Sequence, residues 1–154
     1  MLKMQTIIRG GKETAAKFQR AAAEEERTMR RSMQKSLRLV QRSAKLNLTG
    51  GHPLHVRSSR LRRSVDIDIR GSGRKMEGRA GTNVVYGPVH EYGATIKAKG
   101  DAMRFQIKGH WVSAQEVTIP KRPWLEPAFV SNRERINYYF GRDTSTMLHR
   151  VGLQ

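Results

Sequence analysis

The sequence predicts an α+β fold, an antiparallel sheet of about five short strands with a long N-terminal amphipathic helix and a C-terminal helix. Three observations carry that prediction: an uninterrupted helical pattern at the start, a group of short alternating segments in the middle, and a second helical pattern behind two prolines. Strands that are grouped, and not interleaved one by one with helices, point to α+β architecture. At 154 residues the chain reads as one domain with appendages.

The first element runs from Lys12 to about Leu48 with no Gly or Pro. Ala22, Met29, Met33, Leu37, Val40, Ala44 and Leu48 recur at helical spacing and form one apolar stripe. Arg20, Arg27, Arg31, Lys35, Arg38, Arg42 and Lys45 follow the same rhythm offset by two residues, about 200° around the axis. One helix therefore shows an apolar face and, opposite it, a basic face. Met1–Gly11 reads as an arm ahead of it.

Gly50, Gly51 and Pro53 stop the helix, and Ser58–Ser64 predicts one short helical turn with Leu61 pointing inward. Val65, Ile67 and Ile69 then alternate with Asp66, Asp68 and Arg70, the pattern of a half-buried strand. The turn Gly71-Ser72-Gly73 leads into a second strand over Lys75–Thr82. Val84–Gly93 reads as an irregular crossover punctuated by Gly and Pro. Ala94–Lys99, Met103–Lys108 and Trp111–Ile119 read as three more strands in a meander. Pro120 and Pro123 close the sheet, and Leu125, Phe129, Ile136 and Phe140 predict one helix ending near Gly141, with residues 141–154 as a loose tail.

The chain carries 30 Lys and Arg against 13 Asp and Glu, a formal charge of +17. Such a field attracts polyanions or acidic protein surfaces. The excess is concentrated at the N-terminal end, where residues 1–63 hold 16 basic and 4 acidic side chains. The absence of cysteine excludes disulfides, a thiolate nucleophile and Cys-type zinc sites. No segment reads as a signal peptide or as a run approaching the ~20 apolar residues of a membrane span, so no membrane association is expected.

Candidate chemistry is sparse. His52 and His55 have a metal-like spacing, but Gly51 and Pro53 place them in a loop and no second ligand pair follows. His90 and Glu91, beside Tyr86 and Tyr92, could form an acid/base pair, yet polar anchoring of a tight segment is the favoured reading. No phosphate loop, nucleophile elbow or paired-carboxylate motif occurs, so no catalytic residue, metal or cofactor is expected. Only Glu24, Glu25 and Glu26 interrupt the basic bias of the first helix, which favours a partner-contacting face over a merely solvated one. Aromatics are scarce there, which argues against a base-stacking platform. Trp124, in IPKRPWLEPAF, is read as core closure before interface anchor.

Two segments in order, AGTNVVYGPVHEYGATI and IPKRPWLEPAF, with SSRLRRSV ahead of them, resemble the small tailed-phage proteins described as neck, minor tail component, tail-completion or virion-morphogenesis proteins. The matching positions are Gly81, Thr82, Asn83, Tyr86, His90, Glu91, Gly93, Ile119, Pro120, Arg122 and Pro123, with Trp124 where the family usually has phenylalanine and Gly87 where it usually has alanine. SSRLRRSV lacks the Thr-Gly often found before Leu-Arg-Arg.

The resemblance spans roughly residues 58–130. It implies a structural virion protein, assembled in the host cytoplasm, that forms a homo-oligomeric ring at the head–tail joint. Its partners would be a head-side connector or adaptor and a tail tube or tail terminator. The motif residues would then act by contact. Docking of the basic stripe on an acidic neighbouring ring is preferred, with non-specific contact to the passing double-stranded DNA second, since many cations per ring would grip the duplex. A free-standing basic nucleic-acid-binding protein is the alternative, and a small nuclease using His90 and Glu91 a further one.

Overall fold

The computed structural model describes residues 11–49 and 59–152. Its architecture is α+β, as the sequence predicts: a long N-terminal helix, helices at the C-terminal end, and small antiparallel sheets between them. Residues 1–10 of the expected arm, the histidine pair His52 and His55, and the last two residues lie outside the described residues. Among those described, no helix is long and apolar enough to cross a membrane.

Helix α1 spans Gly11–Asn47, 37 residues without a breaker inside. A short helix α2 (Arg60–Ser64) follows, with Leu61 buried as expected. Strand β1 (Val65–Arg70) pairs with β2 (Glu77–Thr82) across a turn that includes the 3₁₀ segment Gly73–Lys75. Next come α3 (Tyr86–Tyr92), β3 (Ala94–Lys97), β4 (Met103–Ile107), β5 (His110–Ala114) and β6 (Glu116–Ile119). Two helices close the chain, α4 (Glu126–Val130) and α5 (Arg133–Arg150).

The chain forms two compact units. One is built from described residues 11–36, 69–78 and 134–152, the other from 37–49, 59–68 and 79–133. In the second unit the apolar stripe of α1 supplies Leu37, Val40, Ala44 and Leu48, all buried with Leu61, Val65, Val84, Trp124 and Ala128. In the first unit the buried positions of α1 are Thr28 and Ser32, with Ser36 closing the series, and Met147 of α5. The earlier part of the predicted stripe is less buried: Ala22 is exposed, and Met29 and Met33 are only half-buried.

Four expectations are corrected. The five-stranded sheet is instead three two-stranded ones, with the orders β1-β2, β3-β6 and β4-β5. The predicted strand Trp111–Ile119 is broken at Gln115, and its halves pair with different partners. The reason is a two-residue reversal at Lys108 (φ 51°) and Gly109 (φ 88°), both left-handed as a type I′ turn requires. That turn pairs β4 with β5 immediately, so β3 reaches β6 only beyond the bulged segment 98–102, with Ala98 N donating to Gln115 O at 2.8 Å.

Second, Val84–Gly93 is not irregular: Tyr86–Tyr92 is helical, and Pro88 sits in the first turn, where a missing N–H costs nothing. Third, the last helix is two helices. Buried Asn132 interrupts them, its Nδ2 donating to Ala128 O (2.7 Å) and to Ser43 Oγ (2.9 Å) in place of a continuous helical ladder. Fourth, α5 does not stop at Gly141, and most of the expected loose tail is its last half. An internal glycine costs about 1 kcal/mol relative to alanine. Burial of Met147 and the contacts of Asp143 offset it.

Candidate functional site

The two motif segments interlock. Glu91, on α3, is 4 % exposed, and its carboxylate accepts from three successive backbone amides of the loop entering α4: Trp124 N at 2.7 Å, Leu125 N at 2.9 Å and Glu126 N at 2.7 Å. A buried carboxylate facing a helix start is favoured by the orphan N–H groups there, and charge-assisted bonds of this kind are the strong ones. Trp124 Nε1 donates back to Gly87 O (3.3 Å), and Arg122 N donates to His90 O (2.7 Å). Asn47 of α1 adds a bond to Trp124 O at 2.9 Å.

Glycine is required at two points of this knot. A Cβ on Gly87 would run into the methyl of Thr82, and Gly93 (φ 76°) would bring one to 3.0 Å from Lys121 N. Thr82 in turn shares a hydrogen bond with Ser64 and accepts from Val84 N (3.1 Å). Gly81 lies beside it in β2. Pro120, Arg122 and Pro123 shape the loop, with Pro120 and Arg122 exposed. Asn83 is exposed, at the rim of a depression shared with Gln41, Lys45, Arg63 and Asp66.

This arrangement engages both Glu91 oxygens with backbone donors, and no hydrogen bond joins Glu91 to His90. The two are neighbours on a helix and point about 100° apart. His90 stands edge-on to Tyr86, with ring centroids 6.0 Å apart. Burial, and then the Arg122 guanidinium, lower its pKa from the ordinary histidine value, so its imidazole is neutral at physiological pH. Its Nδ1 is buried with no hydrogen-bond partner. Among the described residues no group of three or more His, Asp or Glu side chains is arranged to hold a metal ion.

The basic stripe is divided. Lys35 is committed: its Nζ lies 2.8 Å from Asp143 Oδ2, which also accepts from Ser32 Oγ at 2.8 Å. Arg142 Nη2 reaches the other carboxylate oxygen at 3.0 Å. These donors, Lys35 first, hold the Asp143 carboxyl at about 2, below its ordinary 3.8. Arg27 makes a 4.0 Å contact with Glu24. Arg20, Arg31, Arg38, Arg42 and Lys45 have no carboxylate partner among the described residues.

Arg38, Arg42 and Lys45 do not stand alone. Together with Arg62 of α2 they line a groove of about 350 Å³ whose wall includes Leu46 and Thr49. Sequence reading missed Arg62, although Leu61 pointing inward implies that its neighbour points out. The pairing of β4 with β5 was expected, but not that Ile107 (51 % exposed), Trp111 (72 %) and Val112 (36 %) stand uncovered on that hairpin. On α3 and just before it, Tyr92 and Val85 are more exposed still.

No protein-family model, no curated protein and no solved structure matches this chain.

Proposed function

We propose that this protein is a non-enzymatic structural component of a tailed-phage particle, one subunit of an oligomeric ring at the head–tail joint through which DNA passes. The observation that carries the reading is the division of labour in the second unit. Its buried motif residues, Gly87, Glu91 and Trp124, are spent on holding α3 to the start of α4, while two surfaces present uncovered apolar side chains. Those surfaces are the hairpin β4–β5 (Ile107, Trp111, Val112) and the α3 region (Val85, Tyr86, Tyr92).

A two-stranded hairpin with uncovered apolar side chains on both faces, Ile107 and Val112 on one and Trp111 on the other, is marginal in water, so contact with a neighbour would stabilise it. A closed ring needs head-to-tail contacts between two different surfaces of each subunit, and two such surfaces are available. The resemblance in segments 81–93 and 119–124 supports the head–tail location. The neighbours would be a head-side connector or adaptor and a tail tube or tail terminator.

The alternative, a free-standing nucleic-acid-binding protein, draws support from the unpaired cations of α1 and predicts a monomer or dimer that grips duplex DNA with steep salt dependence. Light scattering of the purified protein, followed by electron microscopy of any large species, separates the two. Closed rings support the proposal. A monomer that saturates on duplex DNA at physiological salt supports the alternative.

A further inference from the structure

The groove between α1 and α2 carries more information than its charge. Arg38, Arg42 and Lys45 are separated by four and three residues, so they rise along one face of α1 over roughly 10 Å. Arg62 approaches from α2. Like charges at this spacing repel one another and weaken the helix, and among the described residues no carboxylate makes an ion pair with them. Such a cluster is retained at a cost unless an anionic partner completes it.

Two features discriminate between anions. Leu46 is 62 % exposed in the same groove, beside Thr49 and among the four cations. A phosphodiester backbone makes no use of an exposed leucine, whereas an amphipathic peptide covers it with an apolar side chain of its own. No aromatic lines the groove, so bases have nothing to stack on. The helical period of the cations matches carboxylates placed three and four residues apart on a second helix laid alongside.

We infer that this groove is the docking site for an acidic amphipathic helix of a neighbouring protein, with carboxylates opposite Arg38, Arg42, Lys45 and Arg62 and an apolar side chain over Leu46. The inference rests on the structural role proposed above and names the partner chemistry of its basic stripe. The docked helix orders nothing chemically reactive. It sets which ring stands next to this one, and charge complementarity speeds and selects the encounter.

The test uses the full-length protein and three fluorescent probes: a glutamate-rich helical peptide of about fifteen residues with leucine repeating on one face, a leucine-free peptide of equal charge, and a DNA duplex of about 20 base pairs. Fluorescence anisotropy at physiological salt is expected to show the leucine-bearing peptide bound several-fold more tightly than either other probe. Leu46→Ser should weaken that peptide about fivefold and leave the leucine-free one unchanged, and Arg42→Glu with Lys45→Glu should weaken it at least about tenfold. Arg20→Glu, outside the groove, should change binding little. Arg20, Arg42 and Leu46 are exposed and Lys45 is half-buried, and unchanged melting of each variant confirms that binding and not folding is read.

Tighter binding of the duplex together with indifference to Leu46→Ser overturns the inference in favour of phosphate recognition, and failure of every probe to bind overturns it outright. Light scattering on the same samples keeps the two proposals apart. Rings without peptide binding strike only the groove assignment; peptide binding without rings strikes only the ring.

Discussion

The two halves of α1 have the same helical rhythm and opposite interiors. From Leu37 onward the buried positions are Leu37, Val40, Ala44 and Leu48, an apolar seam closed by Trp124 and Ala128 of the same unit. Before it the buried positions are Thr28, Ser32 and Ser36, and the principal tie is a carboxylate, Asp143, shared by Ser32, Lys35 and Arg142. An apolar seam derives its stability from area removed from water and does not depend on the ionisation of a side chain. A hydroxyl-lined seam with one ion cluster gains less, and what it gains depends on ionisation. The second unit is thus built as the fixed body and the first as the half more readily loosened.

The sharpest way to break this contrast is to empty the apolar seam. Trp124→Ala removes the largest fully buried side chain and should cost about 3–5 kcal/mol in denaturant unfolding, since large-to-small changes lose both transfer energy and packing. Glu91→Gln comes next. An amide oxygen can replace only part of a carboxylate that serves three backbone donors, so a loss of roughly 2–3 kcal/mol is expected. Amide exchange at Trp124, Leu125 and Glu126 should accelerate together.

The polar seam should answer more weakly. Asp143→Asn is expected to cost about 1.5–2 kcal/mol, the lower end of the range for hydrogen bonds to a charged group. Its pH dependence has a fixed sign. The folded-state pKa of about 2 lies below the ordinary 3.8, so the stabilisation is present above about pH 4 and is lost as pH falls from there toward 2. Melting curves of wild type and Asp143→Asn should differ at pH 6 and converge near pH 2; a constant gap across that window contradicts the assignment. Smallest of all, Trp111→Ser on the exposed hairpin should shift stability by less than about 0.5 kcal/mol, as surface changes do.

Helix α1 and strand β1 were legible because periodicity is a local property: 37 residues hold one helical phase, and Val65–Arg70 alternate strictly in sequence. The hairpin pairings of β1 with β2 and β4 with β5 were legible from their turn residues, but the pairing of β3 with β6 was not, because alternation tells which face is buried and not which strand lies alongside. Helix α3 was hidden by Gly87 and Pro88, which read as breakers but serve as a close-contact point and a first-turn proline. Glu91 and Trp124 were singled out from the sequence, yet their joint role was invisible, since the bonded partners are 33 to 35 residues apart. The hydroxyl seam was missed for a related reason: threonine and serine carry no apolar signal, and the half-buried Met29 and Met33 drew the predicted stripe one position away.

In the proposal above, different residues of the second unit hold fold and function: the buried knot of Gly87, Glu91 and Trp124 holds the fold, and the uncovered surfaces carry assembly. Comparing the solution mass of wild type with that of Trp111→Ser and Tyr92→Ser tests it most directly. Large ring-sized species in the wild type, lost in both variants while their melting temperatures stay unchanged, are the predicted result. Assemblies that persist in both variants, or that vanish only when folding is lost, would contradict it.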